Sequence, residues 1–139
     1  MNIFLDTSVL LAACGSATGS SRALFTFAPR QGWTLMTSPY ALNEVVKNLH
    51  AFPASATAEW LRLKSLLAVV DDVVSLDRPT IFTSGKDRPI LFTALAYAQV
   101  LLTLDRADFS DLLNGSFYGL TVLLPSDFLE RERSAGRLK

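Results

Sequence analysis

The apolar positions of this chain fall into two alternating patterns. Short, mostly apolar runs that predict strands occur at residues 2–5, 33–37, 72–76, 100–104 and 121–125. The last two are almost uniformly apolar, which is typical of strands buried on both faces. Stretches with helical spacing and helix-capping residues lie between and after the predicted strands, at 8–14, 22–28, 38–52, 57–70, 87–99 and 126–136. Strands that alternate with helices favour an α/β fold, with a mostly parallel sheet covered by helices on both faces.

Composition fits this picture and narrows the class of protein. The chain has 139 residues, of which 50% are hydrophobic, so we expect a single domain over residues 1–139 with one real core. No apolar run reaches the roughly 20 residues that a membrane span needs. A single cysteine, Cys14, excludes an internal disulfide, and no secretory signal pattern opens the chain, so a cytoplasmic location is expected. One cysteine and one histidine also argue against a structural zinc site.

The net charge is zero, with 13 Lys and Arg against 13 Asp and Glu. No global field therefore attracts nucleic acid, and any such contact has to come from a local cluster. The candidates are the basic residues that flank the acidic positions, namely Arg78, Lys86, Arg88 and Arg106. The alternative is that these are scattered, solvated charges.

Aspartates follow two of the predicted strands in the same way. The segments "NIFLD" and "VLLTLD" each end an apolar run with an acid, Asp6 and Asp105. Carboxyl ends of parallel strands meet at one edge of a sheet, and a helix that follows a strand begins there too. Asp87 begins the helix before the Asp105 strand, so these three carboxylates converge by topology. Asp108 lies three residues beyond Asp105, one turn away if the chain is helical there.

Several carboxylates in one pocket raise each other's pKa values unless a cation compensates. Oxygen ligands favour Mg²⁺ or Mn²⁺, and a metal-bound water is suited to hydrolysis of a phosphate ester. Each acid also has a plainer interpretation. Asp6 and Asp87 could be helix N-caps, Asp105 a turn residue and Asp108 a surface residue. Asp77 ends another strand-like run and competes for a place in the site.

Glu44 is not identified by periodicity. In its helix, the apolar stripe consists of Leu42, Val45, Val46 and Leu49. Glu44 falls on the opposite, polar face, where it could pair with Lys47. The pattern alone therefore predicts a solvated residue.

The segments "FLDTSVLLAA", "SPYALNEVVKNL", "KDRPILFTALAYAQVLLTLDRADF" and "GLTVLLPSDFL", in this order, resemble the PIN-domain family over nearly the whole chain. The resemblance implies a compact three-layer α/β/α sandwich and a metal-dependent nuclease, and many bacterial members are toxin ribonucleases of toxin–antitoxin pairs. Matched by position, the family acids are Asp6, Glu44, Asp87 and Asp105, with Asp108 as an accessory acid. Ser8 and Thr103 match hydroxyl residues of the pattern. Leu104 stands where many members have glycine, which could narrow the site.

The favoured interpretation is an endoribonuclease that uses Mg²⁺ or Mn²⁺, with Lys86, Arg88 and Arg106 holding the RNA backbone. An antitoxin protein and a second copy of the chain are its expected partners. One alternative is a phosphohydrolase similar to haloacid dehalogenases, with Asp6 as nucleophile and Lys86 assisting. That pattern requires a second aspartate where this chain has Ser8. The other alternative is a non-catalytic PIN-like module that binds nucleic acid or a partner.

Overall fold

The computed structural model describes residues 1–73 and 88–138. At Arg88 it describes the backbone but not the side chain. In chain order the strands and helices are β1 (Asn2–Leu5), α1 (Thr7–Gly15), α2 (Ser20–Gln31), β2 (Thr34–Thr37), α3 (Pro39–Asn48), a 3₁₀ turn (Leu49–Ala51), α4 (Ser55–Lys64), β3 (Ala68–Val69), α5 (Arg88–Tyr97), β4 (Val100–Leu102), β5 (Gly115–Phe117), β6 (Leu120–Leu123) and α6 (Pro125–Ser134). Among these helices, none has the length and apolar character to cross a membrane.

The strands form one mixed sheet in the order β3-β2-β1-β4-β6-β5. All neighbouring pairs are parallel except β5 with β6, which is antiparallel. At the carboxyl ends of the strands, the amide of Asp6 donates to the carbonyl of Leu102 at 3.1 Å. The amide of Thr103 likewise donates to the carbonyl of Leu123 at 3.1 Å. The predicted, mostly parallel sheet is confirmed, and the residues that follow β1 and β4 are direct neighbours.

Strand side chains alternate between two apolar clusters, as the period of two requires. On β1, Ile3 and Leu5 belong to cluster 1, which also contains residues of α1, α2, α4 and α6. Phe4 points the other way into cluster 2, which contains residues of α5 together with Phe109. Helices therefore cover both faces, and the architecture is the expected three-layer α/β/α sandwich.

Helix α3 crosses the carboxyl edge of the sheet from one face to the other. Its buried residue Ala41 belongs to cluster 2, while Val45, one turn later, belongs to cluster 1. The start of the helix is fixed by Ser38, whose Oγ accepts the Ala41 amide at 3.4 Å, and by Asp72, whose Oδ1 accepts the Tyr40 amide at 3.1 Å. This path carries the polar face of α3 past the ends of β1 and β4.

Two predictions for the middle of the chain need correction. The predicted helix over residues 57–70 begins at Ser55 and ends at Lys64, and Ala68–Val69 instead pair with β2 as strand β3. Residues 72 and 73 lie outside any strand, and the remainder of the predicted strand over 72–76 lies outside the described residues. The run "LLAVV" is apolar throughout, so its pattern could not separate a helix end from a strand.

The segment before β6 forms a further strand that the sequence analysis does not predict. Asn114 has a positive φ of 63°, and Gly115 begins β5. Strand β5 then returns as a hairpin through Tyr118 and Gly119, whose φ values are 50° and 88°. Two positive φ angles in a two-residue loop match the turns that hairpins prefer.

Candidate active site

Asp6 lies between strand β1 and helix α1. It is the N-cap of α1, where its Oδ1 accepts the Thr7 amide at 2.7 Å. It also lies at the carboxyl end of central strand β1, and it is 5% exposed. Its Oδ2 accepts two hydroxyl groups, from Ser8 at 3.0 Å and from Thr103 at 2.7 Å.

The same two hydroxyl groups connect Asp6 to the loop after β4. Thr103 Oγ1 accepts the Asp105 amide at 3.0 Å while it donates to Asp6. Ser8 Oγ likewise accepts the Leu104 amide at 3.0 Å. A carboxylate that receives two such hydroxyls is held in one orientation relative to Asp105. Ser8 and Thr103 are therefore positioning residues for the two strand-end acids.

Burial raises the pKa of Asp6 above its ordinary value. The hydrogen bonds from Thr103, Ser8 and the Thr7 amide oppose this rise, and the negative charge of Asp105 adds to it. A cation bound beside the two acids would relieve both the desolvation and the repulsion. The electrostatics of the site thus suit a bound metal ion.

Glu44 joins these acids across a cavity of about 220 Å³ that is also lined by Asp6 and Asp105. The Glu44 side chain is 27% exposed, and Lys47 Nζ lies 3.4 Å from its Oε1. The predicted pairing with Lys47 is confirmed, and the Glu44 side chain is partly rather than fully exposed. Glu44 faces the cavity because α3 crosses the sheet edge, a property of the tertiary path that local periodicity does not contain.

The cavity wall contains residues that sequence reasoning did not assign to the site. Tyr40 and Asn48 lie one helical turn on either side of Glu44, and all three line the cavity. Leu11 of α1 and Ile90 of α5 complete its apolar part. The sequence does contain an indication of this, because Tyr40, Glu44 and Asn48 are spaced four residues apart and such residues share one side of a helix.

Of the other predicted site residues that the structure describes, Asp108 and Arg106 do not line this cavity. Asp108 lies in the turn after β4, where its amide donates to Asp105 Oδ1 at 2.9 Å. Arg106 is exposed in the same turn. Asp87 and Lys86 lie outside the described residues, as do Asp77, Arg78 and the side chain of Arg88.

The donor set fits a hard cation. Asp6, Glu44 and Asp105 present carboxylate oxygens, the ligands that Mg²⁺ and Mn²⁺ prefer. Over residues 1–73 and 88–138, no three His, Cys, Asp or Glu side chains form a group with metal-ligand spacing. A complete ligand set would therefore need either Asp87 or a movement of Glu44 toward the two strand-end acids.

Comparison with known proteins agrees with this fold. A model of the PIN domain matches residues 2–107. One solved structure that resembles the chain is that of VapBC2 from Rickettsia felis bound to a DNA fragment from its promoter. The TM-score is 0.63 at 16% sequence identity, and the match covers 88% of this chain and 97% of the other chain. Another is VapC20 from Mycobacterium tuberculosis, a sarcin–ricin loop cleaving toxin, with a TM-score of 0.50, 21% identity, and coverage of 78% and 94%. No curated protein matches in sequence. Because the family model spans most of the chain, this protein belongs to the PIN-domain family.

Proposed function

We propose that this protein is an endoribonuclease that depends on Mg²⁺ or Mn²⁺ and acts as the toxin of a toxin–antitoxin pair. The observation that carries the proposal is the buried Asp6 carboxylate, fixed by two hydroxyls in a cavity that it shares with Glu44 and Asp105. Family membership and the structural similarity to VapC20, described as a toxin that cleaves the sarcin–ricin loop, support the choice of RNA.

The carboxylates of Asp6, Glu44, Asp105 and Asp87 would hold the cation, with Asp108 as an accessory acid. When bound, the ion would activate a water molecule and neutralise charge that develops on the phosphodiester. Ser8 and Thr103 keep Asp6 oriented, and burial keeps bulk water away from its carboxylate. Lys86, Arg88 and Arg106 would contact the RNA phosphates outside the cavity.

The direct test is incubation of the purified protein with single-stranded RNA and with DNA of the same sequence. We expect cleavage of RNA with Mn²⁺ or Mg²⁺, loss of cleavage with EDTA, and recovery when excess Mn²⁺ is restored. A folded protein that cuts neither polymer under these conditions would refute the proposal.

Mn²⁺ should also stabilise the fold, independently of any cleavage. A ligand that binds only the native state adds RT ln(1 + [L]/Kd), about 2.7 kcal/mol at a hundred times Kd. We expect this gain in thermal unfolding of the wild type and of Asp111→Asn, an exposed aspartate that does not line the cavity. Asp6→Asn should show little gain. Equal stabilisation of all three proteins would place the metal elsewhere.

Partners are part of the same proposal. We infer an antitoxin protein and a homodimer from the toxin class, and a cytoplasmic location in which the buried free thiol of Cys14 stays reduced. Burial raises the pKa of Cys14 to about 11, so this thiol is unreactive at neutral pH. Sedimentation of the purified chain, alone and with the product of a small neighbouring gene, tests both partners. A chain that sediments as a monomer and does not bind that gene product would contradict both inferred partners.

The phosphohydrolase alternative is disfavoured by the role of Ser8. This residue occupies the position of the second aspartate, and its hydroxyl is bound to Asp6 Oδ2 and to the Leu104 amide. Trapping of a phosphorylated Asp6 would revive that alternative. A non-catalytic module would show neither cleavage nor stabilisation by Mn²⁺.

A further inference from the structure

Helix α3 contributes three side chains to the cavity wall, those of Tyr40, Glu44 and Asn48. Tyr40 packs against cluster 2, the cluster that contains Ile90, and both side chains line the cavity. Glu44 follows Tyr40 one turn later in the helix, and Asn48 follows Glu44 after one more turn. Asn48 is oriented by its Nδ2, which donates to the Glu44 carbonyl at 2.7 Å. An aromatic ring therefore stands beside the acids, on the same helix face.

Tyr40 is held firmly in this place. It is the second residue of α3, its amide is bound by the Asp72 carboxylate at 3.1 Å, and its side chain is half-buried. Residues four apart on a helix have Cβ atoms about 5–6 Å from one another. A phosphate held at the acids therefore leaves its own nucleotide within reach of the ring.

The described wall of the cavity carries little positive charge. Within the described part of the chain, no Lys or Arg lines the cavity, and Lys47, the nearest base along α3, is paired with Glu44. Phosphate contacts normally supply most of the affinity for nucleic acid. The wall does contain the aromatic side chain of Tyr40, and stacking on an aromatic side chain is a recurrent way to hold an unpaired base.

We propose that Tyr40, which packs against cluster 2, stacks on the nucleobase adjacent to the cleaved phosphate and is a specificity-determining residue of this nuclease. The inference rests on the proposed function. Stacking of this kind requires an unpaired base, because a base inside a duplex cannot present its face to the ring.

The test uses a fluorescein-labelled single-stranded RNA of about ten nucleotides, within the range of site sizes of single-strand binders. Affinity is measured by anisotropy with Mg²⁺ in an Asp105→Asn background, which should not cleave. Tyr40→Leu should weaken binding about tenfold, and Tyr40→Phe should preserve it. The matched control is Tyr97→Leu, at the end of α5, where the Tyr97 carbonyl accepts Asn2 Nδ2 at the opposite edge of the sheet. This control should bind normally.

Two further measurements separate stacking from a structural role. A single abasic substitution in the RNA should weaken binding to the protein that retains Tyr40 by the same factor as Tyr40→Leu does. The abasic substitution should not weaken binding to the Tyr40→Leu variant any further. The salt dependence of binding should be the same for both proteins, because stacking releases no counterions.

The inference is overturned if the wild type cleaves RNA while Tyr40→Leu binds and cuts the same RNA normally. It is also overturned if abasic sites weaken both proteins equally. Absence of cleavage and of RNA binding in the wild type would instead refute the proposed function, so the two failures are distinct. If Tyr40→Leu proves unfolded, Tyr40→Phe and abasic scanning of the wild type decide the question.

Discussion

Replacing Asp6 by asparagine should lower RNA cleavage by about a thousandfold or more. A bound cation provides several kcal/mol of charge stabilisation in the transition state, and each 1.36 kcal/mol is a factor of ten in rate. Asp6 is the most buried of the cavity acids and the one that two hydroxyls orient. Asparagine keeps the size of the side chain and removes its charge, so the loss would be measured in single-turnover cleavage with Mn²⁺.

The fold should survive this substitution. Burial raises the pKa of Asp6, so the native protein binds this proton more tightly than the unfolded chain does. Stability from this group is then present at low pH and declines as pH rises through the folded pKa. Asparagine removes the cost of an ionised Asp6 at neutral pH. Without divalent ions, Asp6→Asn should therefore unfold no earlier than the wild type, as circular dichroism would measure.

Asp111→Asn is the matched control for the loss of activity, since it makes the same chemical change at an exposed position outside the cavity. It should cleave RNA at the rate of the wild type. Cleavage by Asp6→Asn within tenfold of the wild type, in a folded protein, would show that Asp6 is a helix cap and that the chemistry lies elsewhere.

The strand-end acids could be predicted because their position depends on chain order alone. Asp6 and Asp105 each follow an apolar strand, and parallel strands that lie side by side bring such residues to one edge. Both line the same cavity. Alternation of the apolar pattern likewise predicted the layers, because side chains on each strand divide between two clusters.

Glu44 could not be found in this way, because its place depends on how α3 crosses the sheet edge. Its helix buries Ala41 against one cluster and Val45 against the other, and Glu44, on the polar face, lines the same cavity as Asp6. The family resemblance supplied Glu44 where periodicity did not. Strands β3 and β5 were missed for a different reason, since segments of two and three residues are too short to show a period.

Thr103→Val should reduce RNA cleavage by about 10–100-fold, the usual effect of losing a residue that orients a metal ligand. Valine matches threonine in shape but cannot donate to Asp6 Oδ2 or accept the Asp105 amide. The amide of Asp105 would lose its partner, at a cost of about 1–3 kcal/mol in the free energy of unfolding. Both the rate and the stability should therefore fall, and Thr103→Ser, which restores the hydroxyl, should recover most of each.

Thr37→Val separates these effects from the general cost of changing a buried threonine. Thr37 is also fully buried at a strand end, but its hydroxyl donates to the Leu5 carbonyl at 3.4 Å, a weak bond to the main chain. We expect nearly normal cleavage from this variant. If Thr103→Val cleaved RNA as fast as Thr37→Val, the Thr103 hydroxyl would only stabilise the fold. If Thr103→Val alone were slow and serine rescued it, the orientation of Asp6 by Thr103 would be part of catalysis.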